Sequence, residues 1–576
     1  MDLNINNSFY ALYQKRKYFP FVDKSDFIAE LNICLDAPSS KFISVARPRR
    51  FGKTITARML DLYYSDKYDS KEIFGQLKIS QDPSFLECIN KYTVIYWDMA
   101  TLKEKFIDTL IKNPNSDIDF IKVIRSETIK QLREDSKFNE VLSNNSEIGE
   151  YSLSSAIIEL NKKLAVKFIC IIDEWDLIFR EYEHDFKLQK DFIEFLRGLF
   201  KAIDCAECFS LVYMTGILPI KMYKSDSLLN NFDEYNMLEP SIFAKYFGFT
   251  DDEVKDLIEK YPTKVTYQDL KDWYDGYKLD GLDIYNPNSV SLAMRKNLAK
   301  LFYSKSSNNE NLQTFINMNF DGLKEDILNL LKCEKIPFSS LQFQSSLTDV
   351  KTKDDVICLL VCFGYLACVD LPSDYPAILN KFNEKINNNK NTPKYDKLAF
   401  IPNREVHDIV YDFVVGSHWS IDEQMINNAI ELSQAIRSLD ENKASEIFTN
   451  YYNSGKVAIN DRTMESVLRN TLVHVLAPYT NKNYKIKNED TLGLGRADIV
   501  YLPKPGYVYP YYPIIIELKI DKSTKKAMDQ IIAKKYYREY SELYTDLILV
   551  GVNYNSKKQF CDFKITKYSE LLNSLS

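Results

Sequence analysis

The stretch Arg47-Pro48-Arg49-Arg50-Phe51-Gly52-Lys53-Thr54 constrains the fold more than any other part of the chain. It follows an apolar run, Phe42-Ile43-Ser44-Val45-Ala46, with the character of a buried strand. It precedes Ile55, Met59, Leu60 and Tyr63, whose spacing marks one face of a helix. Strand, tight loop, Gly-Lys-Thr and helix are the context that a P-loop needs. Backbone N–H groups at a helix start favour phosphate, and the helix dipole adds to the attraction. Arg50, Phe51, Gly52, Lys53 and Thr54 are therefore candidates to cradle ATP. Lys53 would reach the β- and γ-phosphates and the Thr54 hydroxyl would hold Mg²⁺. Arg47 stands where the general pattern has its first glycine, so support must come from elsewhere in the chain.

That support begins at Phe168-Ile169-Cys170-Ile171-Ile172-Asp173-Glu174-Trp175-Asp176. A buried strand delivers a carboxylate to its C-terminal edge, where the ligand crevice of a parallel sheet lies. Asp173 would hold Mg²⁺ and Glu174 would polarise the attacking water, as in a Walker B strand. A strand that simply ends in a charged turn would look the same, and the upstream Gly-Lys-Thr favours the Walker B reading. Tyr92 to Asp98 reads as a further strand, and Phe209 to Met214 as another, followed by Thr215-Gly216. Thr215 is either a sensor of the γ-phosphate or a turn hydroxyl.

Taken in order, Val22-Asp23-Lys24-Ser25, the Arg47–Thr54 stretch, Ile172-Asp173-Glu174-Trp175-Asp176 and Met214-Thr215-Gly216-Ile217 resemble the AAA-ATPase-like family of bacterial proteins. The resemblance continues through Trp273-Tyr274-Asp275-Gly276-Tyr277, Tyr285-Asn286-Pro287, Phe363-Gly364-Tyr365-Leu366 and Ile401-Pro402-Asn403-Arg404-Glu405-Val406. In that family the Arg-Pro-Arg-Arg-Phe-Gly-Lys form of the loop is usual, and a PD-(D/E)xK nuclease-like domain follows at the C-terminus. Without the resemblance, the Trp-Tyr-Asp-Gly-Tyr turn reads as a packed aromatic corner bent at Gly276. Asp23 or Ser25 would cap the helix that carries Phe27, Ile28 and Leu31.

A second site emerges near the C-terminus. Met464 to Ala477 reads as a helix; Gly495-Arg496-Ala497-Asp498 and Tyr512-Pro513-Ile514-Ile515-Ile516-Glu517-Leu518-Lys519 then supply two apolar strands. Eighteen residues separate Asp498 from Glu517. Glu517 and Lys519 share one strand face by the two-residue period, and a hairpin can bring Asp498 beside them. Two carboxylates and a backbone carbonyl bind Mg²⁺ through hard oxygens. Lysine positions water or offsets transition-state charge. Glu465 or Glu489 would complete the set, with Glu465 preferred, and Gln530 on the following helix would contact the site or nucleic acid. Ala527, Gln530 and Ile531 fit the resembled family's Ala-x-x-Gln-Ile pattern.

Bulk properties set the limits. A chain of 576 residues exceeds one core. We expect an α/β multidomain protein: a P-loop NTPase parallel sheet with helices over 1–240, a helical appendage over 241–303, a helical and mixed middle region over 304–460, and an α/β nuclease-like domain over 461–576. The net charge is −7, yet 18 Lys+Arg face 13 Asp+Glu from Asp461 onward, a mild sign of a polyanionic partner. The longest apolar run, Val356 to Val369, is too short to span a bilayer and reads as a buried helix. Met1-Asp2-Leu3-Asn4 lacks the form of a signal peptide. Ten cysteines in so long a chain make no disulfide framework, and Cys205 and Cys208 read as buried thiols. The expectation is a cytoplasmic protein without a membrane partner, acting on nucleic acid, DNA foremost, and forming homo-oligomers through its ATPase domain. Its catalytic residues would be Glu174, Asp498, Glu517 and Lys519. The competing reading is a nucleotide-dependent switch or binding module that does not cleave. The candidates for an arginine acting on a neighbouring nucleotide site are Arg49, Arg50 and Arg180.

Overall fold

The structure is a computed structural model. It describes residues 7–112, 118–182, 184–220, 229–302, 320, 322–341, 343, 350–371, 395–416, 420–453, 464, 467–469, 471–473, 475–476, 484–492, 495–503, 512–541, 543–544 and 546–575. The chain divides into two compact units, residues 1–303 with 337–403, and residues 304–336 with 404–576.

In the first unit β1 (Phe42–Ala46), β2 (Thr93–Asp98), β3 (Phe168–Asp173), β4 (Phe209–Gly216) and β5 (Asp233–Tyr235) form one sheet in the order β2-β3-β4-β1-β5. All four pairings are parallel. Parallel strands are covered on both faces, which is why β1 and β3 are nearly unbroken apolar runs. Alternate residues feed two cores. Ile95, Trp97, Cys170, Ile172 and Met214 point to one, and Val94, Ile43, Val45, Ile171 and Tyr213 to the other. The helix α1 (Lys53–Tyr64) covers the second face and buries Met59, Leu60 and Tyr63. The short helix α2 (Leu177–Glu181) follows β3. Two small sheets complete the unit. One holds β6 (Phe249–Thr250), β7 (Tyr277–Leu279) and β8 (Leu282–Tyr285), and the other β9 (Ile336–Phe338), β10 (Ala367–Asp370) and β11 (Lys397–Phe400).

Two sequence expectations change here. The run from Val356 to Val369 is not one helix. Helix α3 (Lys353–Phe363) ends at Gly364, whose φ of 82° is left-handed, and the chain turns into β10. Glycine adopts that cap without the Cβ penalty. The helix Phe27–Cys34 is preceded by Asp26, which makes no side-chain capping bond. Asp23 instead accepts the Lys78 N–H at 2.7 Å and Ser25 Oγ accepts that of Ile79 at 3.1 Å. Both polar side chains fasten a segment more than fifty residues away.

In the second unit β12 (Tyr484–Leu492), β13 (Gly495–Pro503), β14 (Ile514–Ile520), β15 (Ile548–Asn555) and β16 (Phe560–Lys567) form a sheet in that order. Only β14 and β15 run parallel. Ile514, Ile516 and Leu518 face one core together with Leu468, Leu472 and Val475, whose backbone is helical. Ile515 and Leu549 face another, closed by Met528 and Ile531 of α4 (Thr524–Ala533). No helix among the described residues is long and apolar enough to cross a membrane.

Candidate functional site

The first site is built at the C-terminal edge of the parallel sheet. Gly52, with φ of 91°, starts α1, and an added Cβ would meet nothing within 4 Å. The space over the loop is open while the backbone still demands glycine. The Lys53 ammonium donates to the carbonyls of Arg47 at 2.9 Å and Pro48 at 2.8 Å, so the loop wraps its own lysine. Burial pushes the Lys53 amine down to about 8, against the pull of Asp176, Asp173 and Glu174. Arg47, in the place of the usual first glycine, is fully buried and donates to the carbonyls of Ala46 and Tyr235. It ties the end of β1 to β5.

Asp173 ends β3 and is paired in register with Asp98 on β2 and Thr215 on β4. Burial raises its carboxyl to about 6, while Thr54 and Lys53 oppose the shift. Its Oδ1 is buried and accepts no hydrogen bond among the described residues. A buried acid oxygen left this way, beside a threonine hydroxyl and a lysine, suits a hydrated divalent cation bound to a phosphate chain. The Thr215 hydroxyl donates to the Val45 carbonyl at 3.1 Å and lies wholly buried between β1 and β3. Glu174 has a left-handed φ of 58° and receives Arg180 Nη2 at 3.1 Å.

The loop is braced from outside the sheet. Phe51 is buried with its ring edge-on to Tyr277 at 5.0 Å. Arg50 donates to the Phe302 carbonyl at 3.0 Å. The side chains of both thereby fasten the loop to segments outside the sheet. Tyr277 donates to the Gly364 carbonyl at 2.8 Å, and a Cβ on Gly364 would lie 2.7 Å from the Pro48 ring. Asn403 donates to the Asp275 carbonyl at 2.8 Å. The Trp-Tyr-Asp-Gly-Tyr turn, which reads as a packed corner in the sequence, thus braces the loop through Tyr277.

The second site lies on β13 and β14. Asp498 Oδ2 accepts the Leu518 N–H at 2.7 Å, which holds it across the hairpin from Glu517 and Lys519. The Lys519 ammonium donates to Glu517 Oε1 at 2.6 Å, and Glu517 is only 2% exposed. Gln530 donates to the Tyr536 hydroxyl at 3.1 Å. Burial raises that hydroxyl's pKa; Gln530 and Lys519 oppose the shift, and Glu517 and Asp498 add to it. Tyr536 therefore lies within electrostatic reach of the cluster. Two acids, one buried and one half-buried, offer hard oxygens of the kind suited to Mg²⁺. Among the described residues no three His, Cys, Asp or Glu side chains converge as a metal site. Glu465 and the side chain of Glu489 lie outside the described residues.

Residues 6–225 match the family described as predicted AAA-ATPase, and residues 463–564 match the PD-(D/E)XK nuclease superfamily. The chain joins an AAA-ATPase-like domain to a PD-(D/E)XK nuclease-superfamily domain. No curated protein matches the sequence. Among solved structures, Cdc6p from Pyrobaculum aerophilum is similar at 14% identity over 68% of this chain and 92% of that one. Its TM-score of 0.22 carries no argument about this chain. Within the AAA-ATPase-like domain, Asp98 and Asp176 stand around the site with no role read from sequence, and Arg180, read from sequence as a candidate to act on a neighbouring nucleotide site, stands beside them. Asp98 pairs with Arg58 at 3.0 Å beside Asp173, a neighbourhood set by strand order. Asp176 and Arg180 carried a legible signal in their i,i+4 spacing.

Proposed function

We propose that the chain binds and hydrolyses ATP in its AAA-ATPase-like domain and cleaves phosphodiester bonds of nucleic acid, DNA foremost, in its C-terminal domain. The observation that carries this reading is the meeting of Asp498, Glu517 and Lys519 on one hairpin, within a domain of the nuclease superfamily. Mg²⁺, when bound, supplies a Lewis acid and a more acidic water at both sites. In the nuclease domain Asp498, Glu517 and the Leu518 carbonyl offer the oxygens that would hold it. Lys519 turns from Glu517 to a phosphodiester oxygen and offsets charge as the bond breaks. In the ATPase domain Lys53 leaves the Arg47 and Pro48 carbonyls for the phosphate chain. Thr54 and Asp173 hold the cation, and Glu174 takes a proton from the attacking water.

Coupling of the two activities is supported by connectivity. Residues 337–403 belong to the first unit and include Gly364 beside Pro48. Both ends of that segment continue into the second unit, at 336 and at 404. A shift of the P-loop on taking up phosphate therefore acts on a segment tethered twice to the unit that holds the nuclease domain.

Cleavage of plasmid, linear and single-stranded DNA and of RNA, measured with Mg²⁺, tests the reading. Asp498→Ala should abolish cleavage and keep ATP turnover, whereas Lys53→Ala should abolish turnover. Intact turnover with no cleavage of any of the four substrates would replace the nuclease with a nucleotide-dependent switch or binding module.

A further inference from the structure

Arg180 lies on α2, beside Asp176 and Glu174 at the end of β3. Its side chain is 4% exposed. Nε meets Asp176 Oδ2 and Nη2 meets Glu174 Oε2, each at 3.1 Å. Asp176 is itself fully buried, and the same Oδ2 accepts the N–H groups of Ile217 and Leu218 at 3.0 Å. Those two residues directly follow β4, so the guanidinium is anchored to the strand that separates β1 from β3. At its other end it meets a carboxylate that is partly exposed. The Glu174 side chain is 42% exposed and rises from a left-handed residue. A non-glycine residue in that conformation persists where its surroundings over-determine it. A planar fork with one prong fixed in the core and one on a partly exposed acid is suited to aiming that acid.

We propose that Arg180 is a positioning residue supplied in cis, one that aims the Glu174 carboxylate at the water attacking ATP while Asp176 fixes the guanidinium. The proposal rests on the reading of Glu174 as the group that polarises that water. Lysine at this position keeps a charge beside Asp176 but presents a single ammonium in place of the fork. Its shorter reach cannot hold both acids in the same geometry.

The test uses the full chain and four variants: Arg180→Lys, Arg180→Gln, Glu174→Gln and the double variant Arg180→Gln/Glu174→Gln. Steady-state ATP turnover gives kcat and KM, and a fluorescent ATP analogue gives Kd with Mg²⁺. Arg180→Lys and Arg180→Gln should each lower kcat at least tenfold, with KM and the analogue's Kd within threefold of wild type. The double variant should be no slower than Glu174→Gln alone, because aiming a residue that is already disabled changes nothing. A wild-type kcat in Arg180→Lys would overturn the proposal. So would a further loss on adding Arg180→Gln to Glu174→Gln, which would put Arg180 on the phosphates or in the fold. Unimpaired turnover by Glu174→Gln would overturn the reading of Glu174 and the proposal together, and wild type without turnover would do the same. In the first two cases Glu174→Gln is still slow and the ATPase reading stands.

Discussion

Asp61 lies on α1 with 7% of its surface exposed, and burial pushes its carboxyl up to about 6, against the opposing pull of Arg58 and Lys67. The ordinary value is 3.8, so the folded chain disfavours the ionised form. The sign follows from linkage. The penalty is absent below the unfolded value, grows between 3.8 and about 6, and is complete above that. At about 1.4 kcal/mol per unit it reaches at most roughly 3 kcal/mol. Asp61→Asn should therefore raise the thermal midpoint at pH 7.5 relative to wild type and give little gain near ~pH 4. Equal gains at both pH values, read by calorimetry, would contradict the burial argument.

At the scale of elements, the motifs around the P-loop act as fitted joints. Gly276 has a φ of 106°, and a Cβ there would fall 1.9 Å from the Pro402 carbonyl oxygen. Gly281 also has a positive φ, 77°, but open space around it. Gly281→Ala should cost about 1 kcal/mol from backbone strain alone. Gly276→Ala adds a backbone clash to that strain, and its thermal midpoint should fall clearly further. Equal losses would mean that the contact with Pro402 does not hold the joint. These contrasts also show what was legible. The strands that carry Asp173 and Thr215 near their C-terminal ends were readable because strands covered on both faces need unbroken apolar runs. The hairpin of Asp498, Glu517 and Lys519 was readable because the strand period fixes which side chains share a face. The end of α3 was not, since a single left-handed glycine divides an apolar run whose composition is the same on either side. Nor were the partners of Asp23 and Ser25, or the place of Asp98 beside Asp173. Those depend on strand order and on contacts between distant segments, which no local window contains. Arg180 was in view only as an arginine to be lent to a neighbour: its i,i+4 spacing to Asp176 was legible, but Glu174 lies on a turn whose shape the sequence does not specify.

For the whole molecule, the chain passes between the two units three times, at 303/304, 336/337 and 403/404. A single covalent linker would leave two domains free to act independently. Here the segment that contains Gly364, beside Pro48, continues at both ends into the second unit, and the proposed coupling would use that covalent route. In the proposed function the ATP site governs cleavage. Its most direct test is the initial rate of cleavage of a labelled DNA with Mg²⁺, measured without nucleotide, with ATP and with a non-hydrolysable analogue, in wild type and Lys53→Ala. Nucleotide should change the wild-type rate several-fold and leave the rate of Lys53→Ala where it is without nucleotide. Identical wild-type rates under all three conditions, from protein that turns over ATP, would contradict it.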